Sequence, residues 1–286
     1  MNENKIAVMT DSCSDVPQTL LERFNIYQLA LSINYKAKSY RDRIDITPEE
    51  VYKNLEIEIP HTSLPAMGEI HELIEKIIAD GYKQIIIPVI SSGLSGTYNA
   101  IKTVCDQYDS IKTAVIDTKN IALGSGFLSI YASQLVERNL SFEEITKKVE
   151  DKIKNSHIYY SLQTLQYLVK GGRLGRVEGA FGSLLQIKPI ISCDKDGIYY
   201  TVAKVRGRKQ SINKLIEIVE EELKDKSNYY LAVCHGYAQD EADKIKERIQ
   251  SYVDRATIYM EGQISPALGV HTGPGLVGIG FFDLDD

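Results

Sequence analysis

The first half of the chain alternates between short apolar runs and stretches with helical spacing. Residues 6–9 and 84–90 are runs of strand length, and the β-branched character of the second run indicates a strand buried on both faces. Between them, apolar residues recur three and four positions apart, at Ile70, Leu73, Ile74, Ile77 and Ile78. This alternation predicts right-handed βαβ units and a mainly parallel sheet flanked by helices.

Two helices of this half have clear start signals. Thr47-Pro48-Glu49-Glu50 is a capping box with proline at the first helical position, which predicts a helix to about residue 55. Ser141 with Glu144 predicts another helix over residues 142–155. Residues 26–35 alternate as one strand would, and we expect a strand at residues 158–161 to end the first domain.

The second half follows a different pattern. Residues 188–193 and 198–205 flank a turn sequence, Asp194-Lys195-Asp196-Gly197, which predicts an antiparallel hairpin. Helices and further strands follow, so an α+β domain is expected rather than a second doubly wound sheet. We therefore predict an N-terminal α/β domain over residues 1–162 and a C-terminal α+β domain over residues 163–286.

Composition excludes several classes of protein. The 286 residues are 43% hydrophobic and 25% charged, and no apolar run approaches the roughly 18 residues that span a bilayer. Residues 1–5 lack the features of a secretory signal, so a cytoplasmic location is expected. The net charge of −6 argues against nucleic-acid binding. The four cysteines form no CxxC pair, which favours reduced structural thiols over a zinc or redox site.

Three polar segments are expected near the carboxyl ends of strands, where open parallel sheets bind ligands. They are residues 10–15, residues 62–65 and the loop Ser91-Ser92-Gly93-Leu94-Ser95-Gly96-Thr97. Glycines let backbone N–H groups approach a ligand, and the hydroxyls of Ser95 and Thr62 would donate to an anion held there. A serine-capped helix start is the alternative interpretation of this loop.

Two further residues are candidates for contact with such an anion. Arg173 follows Gly171, which we expect to end a helix, and it either bridges the domains through carboxylates or complements the anion. His271 is expected in a glycine-rich loop, although a lone histidine is usually structural.

Motifs for chemistry are missing from the sequence. It contains no GxxxxGK[ST], GxSxG or HExxH motif and no GxGxxG dinucleotide fingerprint between a strand and a helix; Gly273 to Gly278 has that spacing but leads into a predicted strand. A hydroxyl without a general base is a poor nucleophile, so the site is expected to hold a ligand rather than cleave it. We predict no catalytic residue, no metal ligand and no cofactor.

Five motifs, taken in order along nearly the whole chain, resemble the DegV family of bacterial fatty-acid-binding proteins. They are Thr10-Asp11-Ser12 with Asp15 and Pro17, Thr62-Ser63-Leu64-Pro65, Ser91 to Tyr98, Gly171-Gly172-Arg173, and Gly269-Val270-His271-Thr272-Gly273-Pro274-Gly275. The family often has serine after the proline of the second motif, where this chain has Ala66, so one donor is absent.

The resemblance implies a two-domain fold with a long acyl chain in a tunnel and its carboxylate at the domain interface. Thr62 and Ser95 match the family positions that hydrogen-bond the carboxylate. Arg173 and His271 match positions near that head group. Ser63 and Gly96 are expected beside them.

The resemblance also implies a partner. In better-known members the bound fatty acid is presented to a separate ATP-dependent fatty acid kinase, which makes an acyl phosphate for phospholipid synthesis. This chain would be the binding subunit, a lipid carrier and not an enzyme, whose only bound small molecule is the fatty acid. It is expected to be a monomer that contacts membrane surfaces transiently.

The basic side chains of Lys204, Arg206 and Arg208 are candidates for docking the kinase, with a solvated loop as the alternative. Candidates for lining the acyl tunnel are Phe127, Ile130 and residues 181–185, although plain core packing is the preferred interpretation.

Two other functions remain open at this stage. One is a phosphoryl- or acyl-transfer enzyme that uses the serine-rich loop directly, and the other is an interaction protein in which lipid is a structural plug.

Overall fold

The computed structural model describes residues 2–177 and 187–285, and this part of the chain forms an α/β protein with three sheets. The strands are β1 (Ile6–Asp11), β2 (Ile26–Leu29), β3 (Ser32–Asn34), β4 (Ser39–Arg41), β5 (His61–Ser63), β6 (Gln84–Val89), β7 (Lys112–Asp117), β8 (Ser156–Ser161), β9 (Ile187–Cys193), β10 (Tyr199–Arg206), β11 (Tyr229–Gly236), β12 (Ile258–Gln263) and β13 (Leu276–Asp283). The helices are α1 (Gln18–Arg23), α2 (Pro48–Asn54), α3 (Met67–Ala79), α4 (Thr97–Cys105), α5 (Leu123–Glu137), α6 (Phe142–Asp151), α7 (Gln166–Lys170), α8 (Arg208–Leu223), α9 (Gln239–Arg248), α10 (Gln250–Val253) and α11 (Pro266–Thr272).

The first sheet confirms the predicted parallel arrangement. Its four parallel strands lie in the order β2-β1-β6-β7, with the central strands β1 and β6 almost fully buried. From β1 the chain moves to β2 on one side and later forms β6 on the other. The connections therefore diverge between β1 and β6, and ligands of open α/β sheets bind at the carboxyl ends of strands beside such a point.

The second sheet is mixed, as the predicted α+β character of the second half requires. Its order is β10-β9-β8-β13-β11-β12, and its pairs are antiparallel except for β11 with β12. The predicted hairpin is confirmed: Cys193 pairs with Tyr199, and the turn closes through Gly197 N–H donating to Asp194 O at 2.8 Å. Gly197 has φ of +76°, a conformation that glycine adopts without strain.

The placement of the strand that we expected to end the first domain is wrong. β8 pairs with β13 and β9 in the middle of the six-stranded sheet, and five of its six residues are buried. A strand that is buried on both faces is suited to a central position in a sheet. The sequence of β8 alone does not show to which of the two larger sheets it belongs. The boundary between residues 162 and 163 stays a prediction.

The single strand predicted over residues 26–35 is also wrong. The chain breaks after β2, and β3 joins a separate three-stranded antiparallel sheet in the order β4-β3-β5. At the break, the N–H of Leu31 donates to Oγ of Ser12 at 3.1 Å instead of to a neighbouring strand. This side-chain contact directs the chain out of the parallel sheet.

Helix α5 connects the two larger sheets into one core. It packs against β1 and β6 on one side and against β8 and β13 on the other. Phe127 and Ile130, for which core packing was the preferred interpretation, are fully buried in this helix. Residues 181–185 lie outside the described residues.

Candidate functional site

The candidate site begins at the carboxyl ends of β1 and β6. Asp11 accepts hydrogen bonds from the N–H groups of Ile90 at 2.7 Å and Cys13 at 2.8 Å, so the ends of both strands are fixed relative to each other. The serine-rich loop starts at the next residue, where Ser91 Oγ donates to the carbonyl of Gly197 at 2.8 Å. The loop of the first half therefore contacts the hairpin turn of the second half.

A narrow cavity of about 40 Å³ lies between these parts of the chain. Residues from both halves line it: Cys13, Leu31, Thr62, Ile90, Leu94, Ser95, Ile121, Arg173, Tyr199, Ala267, Leu268, His271 and Thr272. The structure thus brings together four of the predicted site residues, which are distant in sequence. Most of the other lining side chains are apolar, so the cavity combines a polar part with an apolar part.

Thr62 and His271 contact each other directly in the wall of the cavity. Thr62 Oγ1 lies 2.7 Å from Nε2 of His271. Strand β5 fixes Thr62, which pairs with Ile33 of β3. His271 lies near the end of helix α11, so its predicted loop position is wrong. Ser265 caps this helix by accepting from Leu268 N–H, and a serine-proline pair of this kind could have revealed the helix in the sequence.

The His271 ring is kept neutral by its surroundings. Burial, followed by the positive charge of Arg173, lowers its pKa from 6.5 to about 4. Nδ1 meets no hydrogen-bond partner in the described part of the chain. It faces Gly171, where an added Cβ would overlap Nδ1, so only a glycine leaves room for the ring.

Ser95 contributes the second hydroxyl. Its Oγ lies 2.8 Å from Oγ1 of Thr97 and accepts the N–H of Thr97 at 3.3 Å. Thr97 begins helix α4, and the capping residue Gly96 has no side chain to accept a hydrogen bond from the first turn. The positive end of the α4 dipole therefore points toward the loop that holds Ser95.

Arg173 follows the end of α7, which Gly171 terminates as predicted. The Nη1 group of Arg173 donates to the carbonyl of Gly171 at 2.6 Å, which folds the side chain back toward the cavity. The guanidinium adds positive charge to the polar part of the cavity, and it has further N–H groups that can donate to a ligand.

Ser63 and Gly96 lie beside the cavity without lining it. Both residues are exposed. Ser63 Oγ accepts from Nδ2 of Asn34 at 3.0 Å, and the Cα of Gly96 faces the side chain of Leu64. Their expected place near a head group stays a prediction.

The three basic residues proposed for docking differ in their surroundings. Lys204 and Arg206 lie on β10, at the edge of the six-stranded sheet. The Arg208 side chain is only 18% exposed and forms an ion pair with Glu241. It also donates to Ser161 O at 3.2 Å and to Gly275 O at 2.6 Å. Arg208 therefore already connects several elements inside the molecule, and its docking role stays a prediction.

Next to the cavity lies a group of buried carboxylates that sequence analysis did not assign to the site. Burial raises the pKa of Asp11 to about 7 and that of Asp42 to about 6, and it also raises the pKa of Asp15. Asp11 and Asp15 belong to a polar segment that the sequence did indicate. Asp42 lies between two elements, and no local pattern distinguishes it from a surface aspartate.

Among residues 2–177 and 187–285, no three or more His, Cys, Asp or Glu side chains are grouped so as to hold a metal ion. In the same part of the chain, no helix has the length and hydrophobicity needed to cross a membrane. The described cysteines are free thiols, and burial raises the pKa of Cys13 far above its usual range.

The fold and the site define an α/β protein with a cavity between its two larger sheets. One part of this cavity is polar, and the rest is apolar. A family model described as "Uncharacterised protein, DegV family" matches residues 5–284. A DegV domain-containing protein of Clostridium acetobutylicum is 45% identical over 278 residues, covering 97% of this chain and 99% of that protein. The chain therefore belongs to the DegV family.

Solved structures show the same fold. DegV of Bacillus subtilis, described as a fatty acid binding protein, has a TM-score of 0.89 and 29% identity, covering 99% of both chains. A stearic acid-binding protein of Eubacterium ventriosum has a TM-score of 0.86 and 26% identity, covering 97% of this chain and 98% of that one. These similarities confirm the family and the fold class expected from the sequence.

Proposed function

We propose that this protein binds one long-chain fatty acid, with the carboxylate between Thr62 and Ser95 and the acyl chain among the apolar side chains of the cavity. The observation that carries the proposal is the meeting of Thr62, Ser95, Arg173 and His271 around one cavity. The fatty acids bound by related DegV proteins support it.

The hydroxyls are arranged to donate to an anion. Nδ1 of His271 has no hydrogen-bond partner in the described part of the chain, so we assign the ring proton to Nε2, which then donates to Oγ1 of Thr62. The hydroxyl proton of Thr62 is then free for a ligand. In the same way, donation from Oγ1 of Thr97 to Oγ of Ser95 leaves the Ser95 proton free. A carboxylate held by these donors keeps its charge and lies within reach of Arg173.

The acyl chain provides most of the binding free energy. A palmitate-length chain buries about fourteen methylene groups, worth about 0.8 kcal/mol each before the costs of association. The cavity volume of about 40 Å³ holds no more than a few water molecules. Lining side chains must therefore move apart to admit the chain, and the space they leave is filled by the ligand.

We also propose that the bound fatty acid is presented to a separate ATP-dependent fatty acid kinase, which phosphorylates the carboxylate for phospholipid synthesis. With its proton on Nε2, His271 donates to Thr62 and does not act as its general base, so these groups hold the carboxylate without attacking it, which supports a carrier role. Lys204, Arg206 and Arg208 form the proposed kinase-docking surface.

Before transfer, a monomer in the cytoplasm would collect lipid through brief contact with a membrane. Leu64, Met67 and Val169, which are apolar and exposed, lie in the segments that flank Thr62 and Arg173. They support the membrane contact.

The carboxylate site is tested by equilibrium binding of oleate to Thr62→Val and Ser95→Ala. Each substitution removes a hydrogen bond to a charged group, so affinity should fall about 10- to 100-fold. Thr103→Val is the matched control, because Thr103 is exposed on α4 and its hydroxyl donates only within that helix. Unchanged oleate affinity in both site variants would contradict the proposed head-group position.

A further inference from the structure

The first turn of helix α11 is held by carboxylates from the opposite half of the chain. Asp15 Oδ1 accepts the backbone N–H of Ser265 at 2.9 Å. Asp42 Oδ1 accepts the backbone N–H of Ala267 at 3.1 Å. These bonds satisfy N–H groups at the start of α11, which otherwise lack partners in a helix.

Arg43 completes this contact between the halves. Its Nη2 lies 3.0 Å from Oδ1 of Asp15 and donates to the carbonyl of Gln263 at 2.9 Å. We call Asp15, Asp42 and Arg43 the acidic clamp. The clamp holds residues 263–267 of the second half from two loops of the first half.

Both carboxylates of the clamp are deeply buried. Asp42 is fully buried, and its second oxygen, Oδ2, accepts from Ser12 Oγ at 2.6 Å. Burying a carboxylate is unfavourable unless donors compensate its charge. Both oxygens of Asp42 accept a hydrogen bond, whereas in Asp15 only Oδ1 does so within the described part of the chain. Carboxylates give stronger bonds to backbone N–H groups than neutral acceptors do, so the clamp fixes α11 more firmly than a neutral side chain would.

Helix α11 also forms part of the candidate site along its length. Ala267 and Leu268 of its first turn and His271 and Thr272 of its last turn line the cavity, and His271 contacts Thr62. The helix has seven residues and is only about 10 Å long. A shift at its first turn is therefore transmitted to His271, and a small displacement is enough to break a 2.7 Å hydrogen bond.

We propose that Asp42 and Asp15 are positioning residues of the carboxylate site: they hold the start of α11 so that His271, near its end, orients the hydroxyl of Thr62. This inference rests on the proposed fatty-acid site and adds residues that do not touch the cavity. It also gives a role to Asp15, a residue of the first polar segment that does not line the cavity.

The test compares Asp42→Asn with Asp45→Asn. Asparagine keeps the size of Asp42, but its NH₂ group must face one of the two donors, Ser12 Oγ or the N–H of Ala267, and cannot accept a hydrogen bond from it. The start of α11 is then held less firmly. Asp45, three residues along, is on the surface and pairs with Arg41, so it is a matched control for the lost charge. In folded Asp42→Asn protein, oleate affinity should fall about tenfold. The pKa of His271, followed by NMR, should rise from about 4 toward 6.5. Asp45→Asn should change neither.

The His271 pKa separates positioning from mere stabilisation, because a general loss of stability does not alter the ring's surroundings in the folded fraction. If Asp42→Asn does not fold, Arg43→Gln, which removes the ion pair with Asp15 and the bond to the carbonyl of Gln263, should give the same two changes. Oleate affinity and a His271 pKa both equal to wild type in the folded variant would overturn the inference. Failure of the wild-type protein to bind oleate would overturn the proposed function instead.

Discussion

At the scale of single residues, anion binding at the candidate site depends on which side-chain atoms carry protons that can be donated. Thr62 and Ser95 were predicted from polar segments, and the structure adds the neighbours that determine which protons they can offer. His271 stays neutral because it is buried beside Arg173, and sequence offers no measure of either effect. The residue types at the site were predictable from motifs, but the hydrogen bonds among them depend on contacts between segments more than 200 residues apart.

The neutral state of His271 has a measurable consequence. Because folding lowers its pKa from 6.5 to about 4, the neutral ring favours the folded state above pH 6.5, and this contribution is lost as the pH falls toward 4. The free energy of unfolding should therefore decrease more between pH 7 and pH 5 for wild type than for His271→Gln. NMR should also show a neutral His271 ring at pH 5. A ring that titrates near pH 6.5 would contradict the burial described for this residue.

At the scale of helices and strands, local signals predicted most of the elements well. Capping boxes located α2 and α6, and the turn sequence at residues 194–197 located the β9–β10 hairpin. The errors arose where partners are distant. The pattern at residues 26–35 does not indicate that the N–H of Leu31 would donate to Ser12. The sequence of β8 likewise does not indicate which of the two larger sheets the strand joins.

The junction of α7 and α11 can be tested through glycine. Gly171 has a helical backbone conformation that alanine also adopts, but its added Cβ would overlap Nδ1 of His271. Gly171→Ala should displace the ring and weaken oleate binding about tenfold, with a destabilisation of about 1–3 kcal/mol from overpacking. Calorimetric titration and thermal unfolding measure the two effects.

Gly68→Ala is the control for that substitution, because a Cβ at Gly68 in α3 meets no atom within 4 Å. Since alanine favours helix more than glycine, this variant should bind oleate normally and be slightly more stable. Equal binding by the two alanine variants would show that the position of His271 does not matter.

At the scale of the whole molecule, two sheets share the core around α5, and the cavity lies where loops of one half meet α11 and the β9–β10 hairpin of the other. The general two-part architecture was predictable from the change in pattern along the chain. The acidic clamp was not, because Asp42 and Arg43 lie in a loop whose partners come from residues 263–267. Contacts of this kind determine the shape of the cavity, so its volume could not be predicted from the sequence.

The most direct test of the account is the lipid content of the purified, untreated protein. Native mass spectrometry followed by lipid extraction should give one fatty acid per chain, and delipidated protein should take up one equivalent of added oleate. Protein that carries no fatty acid and takes up neither oleate nor palmitate would contradict the central claim that the cavity between the two halves binds an acyl chain.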